Sequence, residues 1–433
     1  MAFLRRVQKW HPAVQVISGF LGLIALGTVL LLLPISTPAG KDLSFTDAVF
    51  TATSAVCVTG LIVVQTPVHF TFFGELVTLF LFQVGGIGII FGSTMLILGV
   101  RGTLGIEQRF SVQESFLNWP FDEIRRVLFL IFKLFFTVEL IGAGVLTALF
   151  AREKPFLEAL WHGVYHSVSA VCNAGFSLNT DSLMSYQHDP LVVLTVAVLI
   201  VFGGIGFVVL AELIGRGKQR YRYSLHTRTM LIGTCSFIIA GMGLFYLLQP
   251  GATWLDALFQ SVTTRTAGFN SANISQWATP TTVIMMFLMF VGAGPASTAG
   301  GIKITTFFAA LADVYSRLKP QTGVHWLDRR LPEEMVNDAV VLFASAAFIV
   351  GSTIFLLTIT ESASLEVIAF EAFSALGTVG LSLGLTPELS EVGRWIIICA
   401  MFLGRLGPLT FVVLLVEKSE PEYRYPEEQL LIG

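Results

Sequence analysis

The chain has 433 residues, 54% of them hydrophobic and only 13% charged, with a formal net charge of -3. So apolar a composition excludes a soluble globular protein of this length and points to an integral membrane protein. The near-neutral balance suggests no nucleic-acid partner, and the four cysteines, Cys57, Cys172, Cys235 and Cys399, lack metal-ligand spacing and read as packing residues.

A helix needs about 20 residues to cross the hydrocarbon. The first such run is 13–33; Arg5 and Arg6 precede it as in a secretory signal, but it continues to Leu33 and ends at Pro34 without a small-residue cleavage pattern. It therefore reads as a retained span. After it come 71–98 with Glu75, 127–151 with Lys133 and Glu139, 191–211, 229–255, 278–302, 339–360, and 395–416 with Arg405, eight in all.

Between these runs lie four short segments, too polar and too short to span. They are 50–60 (FTATSAVCVTG), 165–175 (YHSVSAVCNAG), 258–268 (LFQSVTTRTAG) and 370–380 (FEAFSALGTVG); they align without gaps and end in Gly60, Gly175, Gly268 and Gly380. The glycines lie 115, 93 and 112 residues apart, the size of a helix, loop, helix unit repeated four times. We read the segments as re-entrant pore helices running into non-helical chain at 57–60, 172–175, 265–268 and 377–380. Such chain is tolerated at membrane depth only where it lines water or is buried in protein. Glycine permits positive φ there, and carbonyls aimed at an axis replace the hydration shell of an alkali cation. The helix C-termini, negative dipole ends, point the same way, and Asp47, Asp256 and Glu366 suit the opposite ends of three of them.

Charge predicts the orientation. Most of the 26 basic residues fall in the N-terminal arm (Arg5, Arg6, Lys9), in alternate connections (among them Arg101, Arg125, Arg216, Arg228, Arg317 and Arg330) and in the tail (Lys418, Arg424). The positive-inside rule then puts both termini in the cytoplasm and the glycine segments on the outer side.

The third repeat also carries GAGPASTAGGIK, from Gly292 through Gly294, Pro295, Ala296, Ser297, Thr298, Ala299, Gly300 and Gly301 to Lys303. So much glycine around a proline cannot hold a regular helix. A phosphate-binding loop is excluded because the spacing to Lys303 is wrong and no strand precedes it. The counterparts elsewhere read VGGIGII (84–90), FGGIGFV (202–208) and GRLGPLT (404–410), the last with Arg405 in mid-span. A charge there is expected to face a cavity and pair with something. Arg265, inside the third segment, is expected to brace rather than line the passage, since a cation would repel the permeant ion. His162 and His166 stand at i, i+4, a spacing that can bind metal, but no third ligand is near in sequence. A coupled symporter would more usually show inverted repeats, whereas these four run in one sense.

The segments CVTGL (57–61), CNAGF (172–176), RTAGFN (265–270) and GTVGLS (377–382) resemble the four filter signatures of the Trk/Ktr/HKT superfamily of potassium transporters, and the resemblance covers essentially the whole chain. No extra spans precede the first repeat and the tail ends EEQLLIG (427–433), which resembles the Ktr-type membrane subunit. The resemblance implies an all-α membrane protein of four helix, pore helix, helix repeats around a central ion pore: 1–120, 121–224, 225–328 and 329–416, with a cytoplasmic tail at 417–433. It implies a selectivity filter at Val58, Thr59 and Gly60, at Asn173, Ala174 and Gly175, at Thr266, Ala267 and Gly268, and at Thr378, Val379 and Gly380, binding K+ through backbone carbonyls. The loop 292–303, held by Arg405, is expected to gate the pore, with Lys303 as a barrier, a loop contact or an interfacial anchor. No enzyme chemistry is expected. Glycine at all four filter positions goes with potassium in this family, and sodium, as a coupled or alternative ion, is left open. The expected partners are a second copy, in a homodimer, and a cytosolic nucleotide-binding ring of the RCK/KTN, KtrA-like kind; the expected location is a bacterial-type plasma membrane.

Overall fold

The computed structural model describes residues 12–88, 121–215, 223–319 and 323–407. Most of the basic residues behind the orientation argument, and the tail 417–433, lie outside the described residues. The described chain is helical apart from a small hairpin of His325–Trp326 and Arg329–Arg330. In chain order its main helices are α1 (Pro12–Leu31), α2 (Phe45–Val56), α3 (Phe72–Ile87), α4 (Phe121–Phe150), α5 (Phe156–Val171), α6 (Pro190–Gly204) and α7 (Phe207–Gly215). They continue as α8 (Leu225–Leu248), α9 (Trp254–Thr263), α10 (Thr279–Phe290), α11 (Ile304–Leu318), α12 (Glu333–Thr360), α13 (Leu365–Gly377) and α14 (Glu391–Leu406).

The outer helices α1, α4, α8 and α12 are long and apolar enough to cross a membrane. Their large apolar side chains face outward, with Leu140 74%, Leu247 79% and Phe348 76% exposed, as a lipid-facing surface requires. The short helices α2, α5, α9 and α13 are buried within the bundle. Side chains fix where they begin: Ser44 caps α2, and Thr253 with Asp256 forms a capping box on α9. Asp47, Asp256 and Glu366 do stand in first turns, as does Glu158, which the sequence reading passed over.

Composition predicts eight spans; among the described residues those four helices qualify, or five if α6 and α7 count as one span bent by 95°, and the ends of two expected runs, 89–98 and 408–416, lie outside the described residues. The inner helices are shorter because glycines end them at matching places. Gly88, Gly206 and Gly407 have φ of 83°, 101° and 80° and terminate α3, α6 and α14, a backbone state that leaves the helical region. In the third unit α10 stops at Phe290 and the chain resumes as α11 only at Ile304.

Each outer helix packs on the short helix that follows it, and each inner helix packs on the short helix of the next unit: α3 on α5, α6 on α9, α10 on α13. The last inner helix, α14, returns to α2. There Arg394 pairs with Asp47 at 2.6 Å and Thr46 donates to Glu391 at 3.2 Å. The units therefore form a closed ring in chain order, with the four glycine segments enclosed.

Candidate functional site

All twelve expected filter residues come together inside this ring. Each segment alternates in backbone hand. Val58, Asn173, Thr266 and Thr378 have φ of 56°, 58°, 74° and 49°, and the glycines two residues later, Gly60, Gly175, Gly268 and Gly380, have φ of 91°, 70°, 77° and 94°. In a strand successive carbonyls point to opposite sides; alternating hand turns them to one side, where they can face a common axis. Left-handed backbone at four non-glycine residues costs roughly 1–3 kcal/mol each and persists only where the surroundings impose it.

The segments also face one another. A Cβ built on Gly60 would stand 2.6 Å from the carbonyl oxygen of Ala174, one on Gly175 2.9 Å from that of Ala267, and one on Gly268 2.5 Å from that of Val379. One on Gly380 would collide with the oxygen of Thr59, which completes the circuit. Four carbonyl oxygens from four segments, with four helix C-termini ending two to four residues upstream, make a site suited to a dehydrated monovalent cation.

Hydroxyls hold the segments from behind. Ser54 accepts from the Gly60 amide at 3.1 Å and donates to Leu61 O, and Ser374 accepts from the Gly380 amide at 3.1 Å. Ser169 donates to Phe176 O at 2.8 Å, and Thr263 to Phe269 O at 2.8 Å. The gapless alignment sets Val262 opposite those serines, so the third brace is displaced by one residue. From sequence alone these hydroxyls have no assigned role. A second missed set is Gly85, Gly203 and Gly404: each lies against the last-turn carbonyl of a short helix, Val56, Val171 and Leu376, where any Cβ would overlap the oxygen.

The glycine-rich loop lies directly against the segments. Its base is closed by Gly292 N to Ile302 O and Ile304 N to Ala293 O. Gly300 abuts Thr378, and a Cβ on Gly301 would stand 3.3 Å from the Cα of Gly377. The loop also explains the bend between α6 and α7. Gly294 donates to Gly204 O at 2.9 Å, Phe207 donates to Ala296 O at 2.7 Å, and Pro295 O occupies the space beside Gly206. Ser297 donates within the loop to Gly294 O, and Lys303 donates to Ala299 O at 2.7 Å and Gly300 O at 3.3 Å. Lys303 is thus in contact with its own loop. Arg405 joins the loop to the first unit, donating to Thr298 O and to Gly85 O, each at 2.5 Å.

Arg265, Glu75 and Glu139 have local partners. Arg265 donates away from the segments to Thr234 O on α8 at 3.4 Å. Glu75 accepts from the Trp161 indole at 2.6 Å, Glu139 accepts from Gln83 at 3.0 Å, and Lys133 is exposed. Both ring nitrogens of His166 are engaged, by His162 O and Ser177 Oγ, which leaves no shared metal position with His162. Among the described residues no cluster of three or more His, Cys, Asp or Glu could hold a metal. Cys57 and Cys172 are buried as expected, whereas Cys235 and Cys399 lie exposed on helix surfaces.

Comparison with known proteins places this arrangement. The family model described as TrkH, cation transport protein, matches residues 6–423. The chain is 41% identical to the Ktr system potassium uptake protein B of Bacillus subtilis, with 99% of each chain covered. It is 38% identical to the protein of the same name from Vibrio alginolyticus, over 98% of this chain and 95% of that one. To the potassium/sodium uptake protein NtpJ of Enterococcus hirae it is 34% identical, with 99% of each covered. The crystal structure of the potassium transporter TrkH from Vibrio parahaemolyticus shares the fold, with a TM-score of 0.71 over 92% of this chain and 85% of that one at 21% identity.

Proposed function

The chain belongs to the TrkH cation transport family, and we propose that it is a potassium uptake protein whose ions pass through the ring of Gly60, Gly175, Gly268 and Gly380. It is an integral membrane transporter and not an enzyme. The observation that carries the reading is the closed circuit of carbonyls and glycines contributed by four separate segments, because only backbone oxygens so arranged replace water around a dehydrated cation without adding charge. The potassium uptake relatives at 41% and 38% identity support potassium as the ion.

The loop at 292–303 is the gate in this reading, held across the passage by Arg405. The membrane is the plasma membrane, with both termini cytoplasmic, and the working assembly is a homodimer regulated by a cytosolic nucleotide-binding ring. The relatives named as part of a Ktr system support the last point, since a system implies further subunits. A second reading, transport linked to sodium, is supported by the potassium/sodium relative at 34% identity.

Expression in a strain lacking its own potassium uptake tests the proposal. Growth at low potassium should be restored, and rubidium or potassium influx should depend on the chain. A correctly inserted chain that gives no influx even with a nucleotide-binding ring subunit present would overturn it.

A further inference from the structure

Two residues beyond the glycine, the second and fourth segments each carry a serine, Ser177 and Ser382, that starts the turn leading the chain away. Ser177 Oγ accepts from Asn179 N at 3.0 Å, and Ser382 Oγ accepts from Gly384 N at 3.0 Å. Each hydroxyl is also gripped from the short helix, by the residue nine positions before the glycine. His166 Nε2 pairs with Ser177 Oγ at 2.9 Å, while its Nδ1 donates to His162 O at 2.7 Å. Glu371 accepts from Ser382 Oγ at 2.7 Å and from Thr386 Oγ1 with its other oxygen. Both side chains are wholly buried. The matching pairs in the first and third units, Thr51 with Ile62 and Phe259 with Asn270, offer no such grip. The third segment instead leans on the turn of the second: Asn270 N donates to Ser182 Oγ at 3.1 Å, and Leu183 N donates to Asn270 O at 2.9 Å.

We propose that His166 and Glu371 are positioning residues that set the ion preference of the carbonyl ring from behind. The inference rests on the filter reading given above. It follows from the left-handed backbone at Asn173 and Thr378, which holds only when the surroundings fix both ends of the segment. The upstream end is tied by the short helix itself. The downstream end is tied by these two grips, and the turn after Ser177 also carries the third segment. A binding constellation must be held within about 0.5 Å to function, so slackening the downstream tie should let the ring accept a smaller ion.

The test measures potassium and sodium flux in liposomes at matched protein amount, with the ratio as readout. Glu371→Ala should lower the potassium preference about ten-fold, the effect expected of losing buried hydrogen bonds. Ser382→Ala should act in the same direction, and adding it to Glu371→Ala should change little further, because Glu371→Ala already removes the bond that Ser382 makes to Glu371. Glu371→Gln keeps an acceptor and should stay within about three-fold of the parent. His166→Ala should act in the same direction as Glu371→Ala. Gly380→Ser is the control for the filter itself. A control that shifts the ratio beside Glu371→Ala and Ser382→Ala variants that lose flux or yield with the ratio unchanged would overturn the inference and leave the filter standing. A control that also fails to shift the ratio would overturn both.

Discussion

At Gly60 no side chain fits. The residue has φ of 91°, and an added Cβ would stand 2.6 Å from Ala174 O, so any replacement must either force the backbone out of the left-handed region or push the neighbouring carbonyl out of the ring. Gly60→Ser should therefore weaken the preference for potassium over sodium by about ten-fold, the consequence of a distortion near 1.4 kcal/mol at one quarter of the ring. The permeability ratio of a folded, correctly assembled Gly60→Ser protein checks this, and an unchanged ratio counts against the filter.

Among the elements, the inner helices approach the short helices through Gly85, Gly203 and Gly404, where a Cβ would overlap a carbonyl. Gly404→Ala should cost about 1–3 kcal/mol through overpacking, read as a fall in the midpoint of thermal unfolding in detergent. Gly351 on α12 has nothing within 4 Å of an added Cβ, so Gly351→Ala should leave the midpoint unchanged or raise it by the helix propensity gained, up to about 1 kcal/mol. Equal effects would show that contact with the short helices is not what these glycines provide. The contrast also separates what was legible in the sequence from what was not. The four segments, their glycines and the loop stand out because they repeat or because their composition is locally extreme. The 95° bend between α6 and α7 was not legible, because Gly206 permits it but Pro295 and Ala296, some ninety residues later, impose it. The serine braces were half legible: Ser54, Ser169 and Ser374 align, while Thr263 sits one place off and has to be seen in contact.

For the whole molecule, the glycine-rich loop touches the second and fourth units directly and the first through Arg405, which is the arrangement the proposed gate requires. Shortening it within 296–300 should raise potassium flux in liposomes and weaken its dependence on a cytosolic partner, and Arg405→Ala should act the same way. A shortened loop with flux still low and fully partner-dependent would place the constriction elsewhere. Regulation by nucleotide is expected to need that partner: the described residues form no sheet beyond a two-stranded hairpin, whereas nucleotide folds bind at strand ends. The purified chain should show no calorimetric binding of ATP or ADP, and stoichiometric binding would overturn this.

The clasp between Asp47 and Arg394 joins residues 347 positions apart, which ties the ring to the order in which the ribosome makes it. Three sides can insert and pack as they emerge, each inner helix meeting the next short helix. The fourth side cannot shut until α14 has been synthesised and has found α2. A chain that ends before α14 lacks the side on which α14 meets α2 and is therefore an open arc.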